Sequence, residues 1–221
     1  MALPREEVLA GTIAEYASFE ELLRSLDATE WTALTRCEGW TVADVAAHVT
    51  GTIADVAEGR FAELAAPDAT ERQAAERRGR TAEEVADELH ERAKIAVDIG
   101  AAFDDAAWAG PAPAGLPGTL GQGVEALWYD TFVHGDDIRS AIGRTSQRGP
   151  GVRAAVSHVA DILSQQGQKP ATIALEGMPE FSVSGGGGQK ITGDPYAFVL
   201  AATGRGDLKA FGLDDSFNIY R

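Results

Sequence analysis

The sequence predicts an α+β protein, with a four-helix bundle over residues 1–148 and a small α+β domain over residues 149–221. Three observations carry this expectation. Apolar residues recur at helical spacing through the first two-thirds of the chain. Three of the helix starts show a threonine followed three positions later by an acidic or amide residue. After GRTSQRGPG the texture changes to short β-like runs separated by glycines.

Val8, Tyr16, Phe19, Leu23 and Leu26 form the apolar stripe of a first helix ending near Asp27, and a short connection containing Trp31 and CEGW follows. Thr41, with Asp44 three residues on, caps a second helix. Its buried side carries Val42, Val45, Val49 and Val56, and it is expected to run to about Leu64. The charged stretch ERQAAERRGR reads as a solvated helix end or loop. Thr81 and Glu84 open a third helix with a stripe through Val85, Leu89, Ala96, Ile99 and Phe103. Between Asp104 and Gly118, DDAAWAGPAPAGLPG has too much proline and glycine to continue a helix, so it reads as a long connection of the kind that lines sites. Thr119 and Gln122 start a fourth helix whose inward face runs through Val124, Leu127, Thr131, His134, Ile138 and Ile142. Four helices of this length predict an antiparallel bundle.

In the C-terminal part, a helix from about Val152 to Gln165 precedes the runs ATIALEG, EFSVSG and QKITG. Gly185 to Gly188 reads as a hairpin turn, since no G-K-[ST] follows it as a phosphate loop requires. Asp194–Pro195 is an N-cap and first-turn pair for a helix through Thr203.

The 34 acidic and 19 basic residues give a net charge of -15, which repels nucleic-acid backbones and anionic membrane surfaces. Small-molecule substrates, anionic ones included, stay open. The one cysteine, Cys37, excludes an internal disulfide framework and any Cys-rich zinc or iron–sulfur site built from a single chain. The first residues lack an apolar signal core, and no apolar run of about 18 residues is present, so the expected location is the cytoplasm.

Asp130 and His134 lie four residues apart and project together from the inward face of the fourth helix. His48 shares the buried face of the second helix with Val45, Val49 and Thr52. A carboxylate buried unpaired costs several kcal/mol, and a divalent metal would neutralise it while using both imidazoles. Two imidazoles and a carboxylate leave zinc with open positions, as in catalytic sites, although iron(II), nickel or manganese accept the same donors. The spacing is equally compatible with two core histidines, one of them paired with Asp130.

The segments WTALTRCEGWTVADVAAHV and LWYDTFVHGDDIRSAIG resemble the two signature regions of the mycothiol-dependent maleylpyruvate isomerase family, within the wider DinB-like metal-binding bundles. The patterns GW-x-V-x-D-V-x-x-H and H-G-x-D-I carry the resemblance, and the C-terminal third is less specific. The resemblance implies that His48, Asp130 and His134 ligate a divalent metal, usually zinc, with Asp130 standing where the family has a glutamate one methylene longer. It also implies mycothiol as cosubstrate, its thiolate adding to a conjugated cis double bond that rotates before elimination. Relatives use the same thiolate to open or displace electrophiles. The expected activity is therefore isomerisation or S-transfer on a small electrophile. A non-catalytic binding protein and a metal-dependent hydrolase using water are the alternatives.

Asp137 is a candidate to accept a hydrogen bond from a ligating imidazole, and equally a helix-surface residue. Arg205, in TGRGD, is a candidate grip for a carboxylate, against the simpler reading of a solvated arginine after a helix. Cys37 reads as structural, His90 as exposed and His158 as a surface residue of an amphipathic helix.

Overall fold

The computed structural model describes residues 3–64 and 66–221. It divides into two compact units, one of Pro4–Gln147 and one of Arg148–Arg221 with Leu3. The first contains α1 (Arg5–Arg24), α2 (Ala28–Trp31), α3 (Val42–Ala57), α4 (Phe61–Leu64), α5 (Ala69–Ala75), α6 (Ala82–Ala102), α7 (Asp105–Ala109) and α8 (Leu120–Ala141). The second contains α9 (Gly151–Gln165), a three-stranded sheet and α10 (Pro195–Ala202). The chain is thus α+β, mostly helical with a small sheet.

The four long helices α1, α6, α3 and α8 pack in that cyclic order into a bundle. Its core joins Phe19, Leu23, Val45, Val49, Ile53, Val85, Leu89 and Ile138. Full burial of each such side chain contributes about 1.5–3 kcal/mol. The capping boxes expected at Thr41/Asp44, Thr81/Glu84 and Thr119/Gln122 are all formed, each threonine hydroxyl accepting from the backbone N–H three residues on.

Three expectations need correction. The second long helix stops at Ala57, short of Leu64, because Gly59 takes a left-handed φ of 72° and closes a Schellman turn. In that turn Arg60 N–H donates to the Asp55 carbonyl and Gly59 N–H to that of Val56. The run ERQAAERRGR is no solvated loop: it holds most of α5, which packs on α3 and buries Gln73, while Arg77 beyond its end is also buried. Both polar side chains are satisfied there, Gln73 by His48 and Asp55, Arg77 by Glu88. The glycine run is not a hairpin turn either, because the sheet order is β2 (Phe181–Val183), β1 (Ala171–Ile173), β3 (Gln189–Ile191). β1 pairs antiparallel with β2 and parallel with β3, so Gly185–Gly188 carries the chain past β1. At Gly188 (φ 60°) a Cβ would stand 2.0 Å from the Pro170 carbonyl oxygen, so only glycine fits this crossing.

The connection before α8 is more ordered than an open loop. Asp104 caps α7, a 3-10 turn spans Pro113–Gly115, and Pro111 bridges Thr119. No helix is long and apolar enough to cross a membrane among the described residues.

Candidate metal centre

α3 and α8 are neighbours in the bundle, and their buried faces bring His48, Asp130 and His134 together. The two imidazoles stand edge to face at 90°, with centroids 5.1 Å apart. One Asp130 oxygen lies 3.7 Å from His48 Nε2 and the other 3.5 Å from His134 Nε2. Both separations exceed those of ordinary hydrogen bonds. They are close to the edge of a zinc tetrahedron, about 3.3 Å for bonds of roughly 2.05 Å.

Each imidazole is oriented through its other nitrogen. His48 Nδ1–H donates to Gln73 Oε1 at 2.8 Å, and Gln73 Nε2 donates to Asp55 Oδ2 at 2.7 Å, which fixes the amide orientation. His134 Nδ1–H donates to Asp137 Oδ2 at 2.8 Å. Both rings therefore present the Nε2 lone pair towards Asp130, the tautomer a divalent cation requires. The imidazole side chains keep 12% and 13% of their exposure and Asp130 keeps 25%, so access to the centre remains at the carboxylate. The donor set and its spacing fit a divalent cation.

Burial, the largest influence on His48, disfavours its charged form, but the Asp130 carboxylate together with Gln73 outweighs it and holds the imidazole above its ordinary value. Trp40 packs edge-on to His48 with centroids 5.6 Å apart.

Around His134 the structure adds a charged brace. Asp137 is fully buried, which corrects the surface alternative considered for it, and it accepts from three donors. These are His134, Arg36 Nε at 2.6 Å and the Cys37 thiol at 3.3 Å. Arg36 also donates to Asp136, a second buried carboxylate, at 2.5 Å. Burial opposes the Arg36 charge most strongly, yet Asp137 and Asp136 together hold its pKa above the ordinary value.

Tyr16 approaches from α1. Its side chain is buried, its hydroxyl has no hydrogen-bond partner among the described residues, and burial together with the nearby Asp130 charge pushes its pKa up. The ring lines an apolar cavity of about 450 Å³ formed by α1, α3, α6, α8 and the proline-rich connection.

Sequence reasoning located the three converging residues and Asp137 but missed Gln73, Arg36 and Asp136, and it read Tyr16 only as part of an apolar stripe. His90 is exposed and meets Glu20. His158 is half-buried on α9 rather than on the surface. Arg205 belongs to the second unit, where it donates to the Thr203 carbonyl.

Comparison with known proteins agrees with this architecture. The family model of the mycothiol maleylpyruvate isomerase N-terminal domain matches residues 13–139. The crystal structure of the mycothiol-dependent maleylpyruvate isomerase is similar at 18% identity and a TM-score of 0.66, covering 93% of this chain and 91% of that one. A histidine-to-alanine mutant of that enzyme aligns at 18% identity and a TM-score of 0.65, over 92% and 90% of the two chains. No curated protein matches the sequence.

Proposed function

The chain belongs to the mycothiol maleylpyruvate isomerase N-terminal domain family, a family of isomerases, and on that premise we propose a metal-dependent enzyme that activates mycothiol against a small electrophile. The observation that supports this most directly is the convergence of His48 Nε2, His134 Nε2 and Asp130 while both Nδ1 atoms are held by acceptors. In this reading His48, Asp130 and His134 hold the cation, zinc before iron(II), nickel or manganese. A divalent cation supplies Lewis acidity there, letting a thiol ionise near neutral pH without a protein cysteine.

The chain's own residues supply orientation. Gln73 and Asp137 keep the two Nδ1 protons in place, and Arg36 holds Asp137 in place. Asp130, although one methylene shorter than a glutamate, already reaches towards both imidazoles. The proposed reaction is addition of the thiolate to a conjugated cis double bond, rotation about the resulting single bond, and elimination to the trans isomer; S-transfer would use the same addition without the return. In this reading the Cys37 thiol, which donates to Asp137, helps to hold that carboxylate and is not the nucleophile.

Calorimetric titration of metal-loaded protein with mycothiol tests this reading. Wild type is expected to bind and His48→Ala to lose both metal and thiol binding. Thiol binding that persists unchanged in metal-free His48→Ala would overturn it.

A further inference from the structure

Next to the triad, the cavity is lined on all sides by apolar groups, among them Leu9, Phe61, Val97, Phe103, Val124 and Leu127. Among the described residues, no charged side chain lines it. Its polar contributors are Thr12, whose hydroxyl is engaged with the Val8 carbonyl at 2.7 Å, and the buried Tyr16, whose hydroxyl is closed off from the open space. Tyr16 joins the two features, with its ring in the cavity wall and its hydroxyl in the field of Asp130. Leu127, another wall residue, lies one turn before Asp130 on α8.

Resting on the proposed thiol chemistry, we infer that the electrophile is an uncharged α,β-unsaturated carbonyl compound whose apolar substituent fills this cavity. A dicarboxylate such as maleylpyruvate meets no cation among the described residues of this wall, so its charge would be buried there unpaired. The cavity's volume is in the range that takes a neutral small molecule. The sulfur–carbon bond forms at the β carbon as the double-bond pair moves onto the carbonyl oxygen. After rotation the pair returns, the sulfur–carbon bond breaks, and thiolate and trans product leave; no proton or electron is gained overall.

The test uses the full chain, loaded with zinc, and cis-4-phenyl-3-buten-2-one against maleylpyruvate. Calorimetry without thiol is expected to show binding of the phenyl enone, and assays with mycothiol a kcat/KM at least tenfold above that for maleylpyruvate. Gly100 lies in the cavity wall, and a Cβ there meets only Leu9 at 3.4 Å. Gly100→Leu, with Val124→Phe as the second cavity-filling variant, should raise KM for the enone about tenfold with zinc content unchanged. Preference for maleylpyruvate, or enone binding indifferent to both cavity-filling variants, overturns the inference and leaves the thiol chemistry standing. Enone binding that both variants abolish, without turnover of either compound, instead overturns the thiol chemistry and supports the cavity assignment.

Discussion

Gln73 is a neutral side chain in a run of charges, and its position shows how the centre depends on groups that act through the ligands rather than on the cation itself. Replacing it with leucine removes the acceptor for His48 Nδ1 and a donor to Asp55. A change of this kind lowers metal affinity by ~10–100-fold, and chelator competition on Gln73→Leu should read that loss. On the other side, Arg36 neutralises Asp136 and Asp137, which are 2% and 0% exposed. Removing one partner of such a buried pair costs about 3–5 kcal/mol, so Arg36→Met should shift the urea midpoint accordingly. His48, Asp130 and His134 were legible because helical spacing alone puts them on inward faces. Gln73 and Arg36 were not, because their partners lie 25 and about 100 positions away in the chain and no local period marks them.

At the scale of elements, the distance between α3 and α5 decides whether Gln73 can serve His48. Gly51 sets that distance, for a Cβ there would stand 2.6 Å from Gln73 Cβ. Gly51→Ala should push α5 away and weaken metal binding much as Gln73→Leu does, measurable by the same competition. Asp55, fully buried on α3, ties Arg60, Arg72 and Gln73 to that helix. Burial raises its pKa most, but the hydrogen bonds from Arg72, Gln73 and Arg60 together carry it below its ordinary value of 3.8. Because the folded value is the lower one, the contribution of Asp55 is complete above that ordinary range and is lost as pH falls through the folded value. Asp55→Asn should therefore be less stable at pH 7 by about 1–3 kcal/mol and show a shallower acid decline in urea titrations. The helix starts were readable from the sequence because capping chemistry is local, as Thr41, Thr81 and Thr119 show. The end at Ala57 was harder, since the apolar stripe continues into Phe61 and Leu64 and only Gly59 marks the break.

For the whole molecule, the family match and the triad both fall within the unit Pro4–Gln147. We expect limited trypsin digestion to cut at the exposed Arg148 and to release an N-terminal fragment that still holds its metal; mass spectrometry under native conditions would read both. The short strands of the second unit were legible as β-like runs, but their order was not, because three-residue strands carry no signal for which neighbour they pair with. The signature regions made the family readable, while the apolar character of the cavity emerges only when α1, α3, α6, α8 and the connection before α8 close around one space. The account stands on His48, Asp130 and His134 holding one cation, and metal analysis of the purified chain tests that most directly. It predicts about one divalent ion per chain in wild type and essentially none in His48→Ala of unchanged fold. A wild-type chain that takes up no metal when supplied with zinc, iron(II), nickel or manganese would contradict it.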